Sequence, residues 1–255
     1  MTELTSNIKN AGAHLADTRT FVGVWDDLKP AKENAARIVD ENLLGLPTQS
    51  RARTVMVSAL RPRFIEPNPT VIPALRLLAS RGDAFRDACY YELTRVDALT
   101  ALFAEGQLVD WWEEGRSVIF SADAHEWIDK LHVDERIPDW SLSLRHRVAV
   151  GVVAALRDCG RLSGRHQSPK KELIGPGISI AGFAYVAFRL HQQGESSRGI
   201  LDSPVWRRWL LDRAMSEELM YEMDSLGIVY YAVAGSSLRV DWRFESLEDV
   251  VRAAL

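Results

Sequence analysis

The chain has 255 residues, of which 47% are apolar and 26% are charged, and its net charge is −4. This length and apolar content allow a substantial core, in one large helical domain or in two modest ones. The two cysteines, Cys89 and Cys159, lie in apolar helical contexts without a CxxC spacing. That pattern argues against a zinc or disulfide scaffold and indicates reduced core thiols in a cytosolic compartment.

Two further features concern localisation. The first residues lack the basic start and the apolar stretch of a signal peptide. The longest uncharged run, residues 173–188, is only sixteen residues long and is interrupted by glycine and proline, so it is too short for a membrane-spanning helix. We therefore expect a cytoplasmic protein without a membrane segment.

Most of the chain shows apolar residues at helical spacing. The predicted helices cover residues 18–27, 30–44, 49–60, 69–80, 84–94, 96–104, 107–114, 122–135 and 143–159. Strand patterns are confined to the last thirty residues. The sequence thus predicts a mainly α fold, with a multi-helical globular body and a C-terminal winged-helix-like unit of helices plus a short β-hairpin.

The C-terminal unit is predicted from three helices and a hairpin. Residues 179–193 and 203–212 have helical patterns, and a third helix runs from Ser216 to Leu226, where Gly227 ends it. Two short strands follow, Ile228 to Val233 and Leu238 to Trp242. This order is that of a winged helix-turn-helix. We divide the chain into a helical body (1–162), a basic linker rich in glycine and proline (163–177) and a winged-helix-like domain (178–255).

The third helix of this unit is a poor candidate for reading a DNA groove. It carries Glu217, Glu218, Glu222 and Asp224 and has no lysine or arginine, whereas phosphate neutralisation supplies most of the affinity in such contacts. We therefore favour a structural or protein-binding role for the wing.

Charge is segregated along the chain in spite of the small net value. Residues 107–139 contain nine acidic and three basic residues, whereas residues 140–171 contain seven basic residues and one acid. A second basic island, residues 48–63, has four arginines and no acid. Local charge of one sign decides whether a polyanion can dock. Alternatively, each island is a solvated face that acidic stretches balance in the fold.

One short motif within the basic segment resembles a known DNA-binding element. Ser168-Pro169-Lys170-Lys171 has the form of the SPKK element that lies along AT-rich minor grooves. It stands beside Arg161 and Arg165, so we expect DNA contact here first, with a solvated loop as the alternative.

Catalytic and metal-binding patterns are weak. His125, Asp129 and His132 share one helical face and have the residue types of a metal site, but a polar face of an amphipathic helix is the simpler interpretation. No nucleophile and base combination stands out, and we predict no catalytic residue, metal or cofactor.

The order of several short segments resembles the BrxA family of the bacteriophage exclusion (BREX) defence systems. The resemblance covers roughly residues 43–255. It depends on the following segments: Leu46-Pro47-Thr48-Gln49-Ser50-Arg51-Ala52-Arg53 before Arg61-Pro62-Arg63, Tyr90-Tyr91 before Leu102-Phe103, Ser143 to Val148 before Leu156 to Leu162, and Leu226 to Tyr231 with the wing after it.

The resemblance implies a non-enzymatic component that binds double-stranded DNA and works beside other BREX proteins. With the charge pattern, it leads us to predict binding to duplex DNA with little sequence preference. Arginine forks suit bidentate phosphate contact and the lysine pair adds mobile charge. The predicted phosphate contacts are Arg51, Arg53, Arg145, Arg147, Arg161, Arg165, Lys170 and Lys171. The alternative is a protein-protein adaptor of the defence complex. The oligomeric state stays open.

Overall fold

The computed structural model describes residues 4–66, 70–235 and 237–255. The fold is mainly α, as predicted. The α-helices, in chain order, are α1 Ile8–Ala11, α2 Leu15–Val24, α3 Ala31–Asp40, α4 Gln49–Val55, α5 Val71–Leu78, α6 Gly82–Val96, α7 Ala98–Leu102, α8 Leu108–Glu113, α9 Ser121–Val133, α10 Leu142–Asp158, α11 Ile180–Gln192, α12 Ser197–Leu201, α13 Arg213–Ser225 and α14 Leu247–Ala253.

Three segments have other helical geometries. Met56–Ile65 continues α4 and Phe103–Gln107 joins α7 to α8, both as π-helix, and Pro204–Trp209 is a 3₁₀ helix. Pro62 lies inside the first of these segments. Proline removes a backbone donor and disfavours regular α-helix at that point, and wide turns of this kind accommodate such interruptions.

Short strands form two small antiparallel sheets. The strands are β1 Val118–Phe120, β2 Leu162–Ser163, β3 Lys170–Leu173, β4 Val229–Ala234 and β5 Ser237–Trp242. The first sheet has the order β1-β3-β2, and β4 and β5 form the predicted C-terminal hairpin. The expectation that strands are confined to the last thirty residues was therefore wrong. Residues 163–177, predicted as a linker, include the central strand of the first sheet.

The chain divides into two compact units. The first comprises the described parts of Met1–Pro69 and Glu92–Gly175, and the second comprises Thr70–Tyr91 and the described parts of Pro176–Leu255. Each unit thus combines two separate stretches of chain. The predicted division into body, linker and C-terminal domain stays a prediction.

In the first unit, α9 and α10 pack on each other and on the three-stranded sheet. Their contact faces are apolar at helical spacing. The buried side chains are Ala124, Ile128 and Leu131 from α9, Val148, Val152 and Leu156 from α10, and Ile119, Leu162 and Leu173 from the strands. In chain order these elements are β1, α9, α10, β2 and β3. The β2–β3 loop, residues 164–169, therefore follows α10 after the short strand β2.

In the second unit, helices α11, α12 and α13 precede the hairpin, and α14 packs against α5 and α11. The predicted third helix is observed as α13, and the predicted strands are observed as β4 and β5. Asp87 is buried near the start of α11, where its carboxylate accepts hydrogen bonds from Ser179 N, Ser179 Oγ and Trp209 Nε1 at 2.9, 2.7 and 2.9 Å. One carboxylate thereby joins three parts of this unit.

Candidate nucleic-acid interface

Helix α10 of the first unit has an exposed face with several polar side chains. Ser143, His146, Arg147 and Val150 follow one another at helical spacing and are all exposed, and Val150 is 47% exposed. Ser141 caps this helix by accepting a hydrogen bond from Leu144 N, an arrangement that serine favours at helix N-termini. Since the opposite face of α10 is in the core, Arg147 and His146 are held on a rigid element that faces solvent.

Arg145 and Arg161 are less accessible than Arg147. The guanidinium group of Arg145 forms an ion pair with Asp129 on α9 at 2.7 Å, and its side chain is only 16% exposed. Arg161 is half-buried, and its backbone bonds both Leu156 and Ile174. These two predicted phosphate contacts are therefore less available to a phosphate than Arg147 is.

The β2–β3 loop presents two of the predicted contacts. Arg165 is exposed in the loop, and Lys170 is exposed at the start of β3, with its ammonium group 3.9 Å from Glu172. Gly164, at the first position of the loop, has a φ of +122°, which glycine adopts without strain. Ser168 Oγ accepts a hydrogen bond from Lys170 N at 3.2 Å. The turn of this loop lies at His166 and Gln167, where Ser168 N donates to the Arg165 carbonyl oxygen at 3.1 Å.

Lys171 differs from its neighbour Lys170. It is only 2% exposed, and its ammonium group donates to the backbone carbonyl oxygens of Arg165, at 3.0 Å, and of Ser168. Burial, and secondarily the charge of Arg157, lowers the pKa of Lys171. In this structure Lys171 holds the loop, and it does not project from the surface as a phosphate contact would.

A groove of about 320 Å³ separates the β2–β3 loop from helices α9 and α10. We call it the α10 groove. Its lining residues are Ser121, His125, His146, Val150, Val153, Ala154, Arg157, His166, Gln167, Ser168, Pro169 and Lys171. Among these described residues the ionisable ones are three histidines, one arginine and one lysine, and none is an Asp or a Glu.

His125 and His146 meet inside the α10 groove. Their ring centroids are 4.0 Å apart with an interplanar angle of 35°. His125 Nε2 is buried without a hydrogen-bond partner. Burial, and then the proximity of His146, lowers the pKa of His125, while Asp129 opposes the shift. His125 is therefore held in its neutral form more strongly than an exposed histidine would be.

The possible metal ligands on α9 have separate partners. His125 stacks on His146, and Asp129 pairs with Arg145. His132 Nε2 lies 3.8 Å from Asp139 Oδ1. In the described part of the chain, no group of three or more His, Cys, Asp or Glu side chains is placed to hold a metal ion. The polar-face interpretation of these three residues fits these contacts.

Arg51 and Arg53 are both exposed on α4. Arg51 lines a different groove of the first unit, together with Lys9, His14, Asp17 and Asp158. The structure therefore does not bring these two arginines into the lining of the α10 groove.

In the second unit, helix α13 has an acidic surface. Glu218 and Glu222 are exposed with Tyr221 between them, and Glu217 is half-buried and accepts a hydrogen bond from the Tyr231 hydroxyl at 2.8 Å. Burial and the nearby Glu217 carboxylate raise the pKa of Tyr231. Glu217 thus has a structural contact to the hairpin, whereas Glu218 and Glu222 face solvent.

Sequence reasoning missed the α9–α10 arrangement as a site and identified only its basic residues. The signal was present in the short apolar run Val118-Ile119-Phe120 and in the alternation Lys171-Glu172-Leu173, which pair as β1 and β3. Both runs are shorter than the four to eight residues that give a recognisable strand pattern on their own. His146 belongs to the same site and was not predicted as a site residue.

The fold and this surface define a class of mainly α protein. In this class, two packed helices and the loop between two short strands present a basic surface. The sequence matches the profile of the BrxA family over residues 3–189, well over half of the chain. This chain belongs to the BrxA family, and it is accordingly a component of a BREX phage-defence system. No curated protein matches the sequence.

The match to the family ends within α11. It includes the whole α9–α10 arrangement and the β2–β3 loop, and it leaves α13 and the C-terminal hairpin outside. None of the described helices is both long and apolar enough to cross a membrane.

Proposed function

We propose that this protein binds double-stranded DNA with little sequence preference, as a non-enzymatic component of its BREX system. The observation that carries the proposal is that one unit exposes Arg147 on α10 and Arg165 and Lys170 at the β2–β3 loop. In helix-turn-helix proteins the second helix of the pair enters the major groove. We infer that α10 takes this position, and the β2–β3 loop would then reach the adjacent backbone.

Little sequence preference follows from the side chains available. Arg147, Arg165 and Lys170 are long cations suited to phosphate oxygens, and phosphate contacts position a protein without reading bases. The remaining exposed side chains of α10 are Leu142, Ser143, His146, Val150 and Asp158, and Asp158 is paired with Arg157. A surface of this kind gains its affinity from counterion release, which does not depend on sequence.

A titration of fluorescent duplex DNA at several salt concentrations tests the proposal. Log affinity should fall with log salt by roughly 0.9 for each phosphate neutralised. The variant R147A/R165A/K170A should bind at least about tenfold more weakly and lose up to about three units of that salt slope. Binding that is absent at low salt, or insensitive to salt, contradicts the proposal.

A matched control removes the same charge from the second unit. Arg213, Arg239 and Arg252 are exposed and form surface ion pairs with Asp202, Asp241 and Glu248. R213A/R239A/R252A should bind DNA nearly as well as the unchanged protein. Equal losses in the two triple variants would show that total charge, and not the α10 surface, determines affinity.

The exposed acidic surface of α13 favours a second function, that of an adaptor to other proteins of the defence system. Like charge near a DNA backbone is repulsive, so α13 suits a protein partner better than a nucleic acid. Co-purification with the other proteins of the system, with and without variants in α13 and the hairpin, tests this role separately from DNA binding.

A further inference from the structure

The α10 groove has features that the proposed DNA contacts do not use. Those contacts involve Arg147 on α10 and Arg165 and Lys170 at the loop, whereas the groove lies between the loop and the helices. Three imidazoles line it, from α9, α10 and the loop. A cavity with several hydrogen-bond donors and without a carboxylate in its described lining is suited to an anion.

The other cations of the groove are already engaged. Arg157 donates to Asp158 Oδ1 from Nε at 3.0 Å, and the Lys171 ammonium donates to loop carbonyls. Asp129, whose charge acts to raise the pKa of His125, is paired with Arg145. The groups left to respond to an arriving anion are therefore the histidines His125, His146 and His166.

We propose that the α10 groove is a phosphodiester subsite whose occupation is coupled to uptake of a proton by the stacked pair His125 and His146. The proposal rests on the proposed function, since the phosphodiester belongs to bound DNA. His125 Nε2 is buried and has no partner. Since both ring nitrogens of a protonated imidazole are donors, protonation of His125 makes this unsatisfied nitrogen a donor. His146 is exposed on α10, where it can reach a phosphate that lies along the helix.

The direction of the pH effect follows from linkage. In the free protein, burial and then the proximity of His146 lower the pKa of His125 and favour its neutral form. A phosphate nearby favours the charged form and raises the pKa of the pair, so binding takes up a proton. Affinity must then rise as pH falls through the usual histidine range. The DNA phosphodiester itself stays ionised throughout that range, so it contributes no titration.

The first test measures duplex affinity between about pH 8 and about pH 6 at constant ionic strength. For uptake of one proton, affinity should increase by up to about tenfold per pH unit. His146→Gln and His125→Gln should each remove most of this dependence. His132→Gln is the control on the same helix, since His132 faces Asp139 and not the groove, and it should keep the full dependence.

A second measurement keeps the inference separate from DNA binding. The imidazole signals of the unchanged protein are titrated by NMR with and without sulfate, which stands in for the phosphodiester and remains a dianion at these pH values. Sulfate should raise the pKa of His125 or His146 and leave that of His132 unchanged. This readout does not require a variant to fold.

The outcomes are distinct. DNA binding with a pH dependence that survives both His125→Gln and His146→Gln overturns the proton-linked subsite and leaves the proposed function intact. Loss of DNA binding at all pH values and salt concentrations removes the proposed function, and the sulfate titration then decides on the groove alone. A sulfate titration without any effect on the histidine pair overturns the subsite in either case.

Discussion

The ammonium group of Lys171 donates a hydrogen bond to the backbone carbonyl oxygen of Arg165 across the β2–β3 loop, at 3.0 Å. The two residues were predicted to have the same role, as phosphate contacts, and the structure gives them different ones. Arg165 is exposed, whereas Lys171 is 2% exposed and stabilises the turn that presents Arg165. A hydrogen bond from a charged donor contributes about 1.5–3 kcal/mol, and the Lys171 ammonium group makes two of them to carbonyl oxygens of this loop.

Replacing Lys171 by Met should therefore disorder the loop. Amide hydrogen exchange of residues 164–170 should become faster, and DNA affinity should fall by a modest factor, roughly three- to tenfold, because an ordered loop costs less entropy to bind. Hydrogen exchange by mass spectrometry and anisotropy titration measure the two effects.

The neighbouring lysine supplies the control. Lys170→Met removes an exposed charge, so it should weaken DNA binding and reduce the salt slope by about one unit without a change in loop exchange. If Lys171→Met leaves exchange in the loop as it was, the structural role of Lys171 is wrong and its original assignment as a phosphate contact returns.

The acidic helix α13 should not take part in DNA binding. Glu218→Gln and Glu222→Gln together remove two exposed negative charges, and Glu217 is kept because the Tyr231 hydroxyl donates to it at 2.8 Å. Duplex affinity should stay unchanged or rise slightly as repulsion decreases. A folded double variant that loses DNA binding would place α13 at the DNA and would contradict this assignment.

Asp87 should be a major determinant of the stability of the second unit. Asp87→Ala leaves Ser179 N, Ser179 Oγ and Trp209 Nε1 without their acceptor, and unsatisfied buried donors cost about 1–3 kcal/mol each. We expect a loss of about 3 kcal/mol or more in the free energy of unfolding, measured by denaturant titration.

Asp83 allows a matched comparison on the same helix. It is exposed, and its partner is Arg86. Asp83→Ala should cost less than about 1 kcal/mol, as exposed ion pairs do. Similar losses for the two variants would show that the Asp87 hydrogen bonds do not hold the unit together.

The elements that sequence reasoning predicted best are those with local signals. Met220 and Met223 are buried at helical spacing in α13, and Gly227 follows the helix with a φ of +71°, so the helix and its end were readable from the chain. The hairpin was predicted for the same reason, because its two strands are neighbours in sequence and pair in register from Val229 with Trp242 to Ala234 with Ser237.

Long-range pairing explains what was missed. β1 and β3 are about fifty residues apart, and Phe120 pairs with Lys170, so neither strand has a local partner that would reveal it. The stretch with Ser168 and Pro169 has the polar composition of a linker. In the structure, however, the buried Lys171 ammonium group donates hydrogen bonds to its backbone carbonyl oxygens. A side chain's burial by residues distant in sequence cannot be read from composition, and Lys171 was accordingly assigned to the surface.

Removal of the C-terminal elements should separate structure from partner binding. Truncation after Asp212 deletes α13, the hairpin and α14. Buried α14 side chains, Val250 and Val251, lie in the core of the second unit, where α14 packs against α5 and α11. We therefore expect the truncated chain to expose apolar surface from α5 and α11, to lose cooperative unfolding of this unit and to aggregate.

A surface variant tests the adaptor role without that loss. Tyr230 and Val233 on β4 are 49% and 45% exposed, so Tyr230→Ser with Val233→Ser should keep the fold and its melting temperature. Exposed aromatic and branched side chains on a hairpin are typical of contact surfaces, and we expect this variant to recover less of the other BREX proteins on co-purification while DNA affinity stays the same. A folded variant that retains every partner would exclude Tyr230 and Val233, which lie on opposite faces of β4, as docking residues. A truncated chain that folds cooperatively would show that α14 is not required by the core it covers.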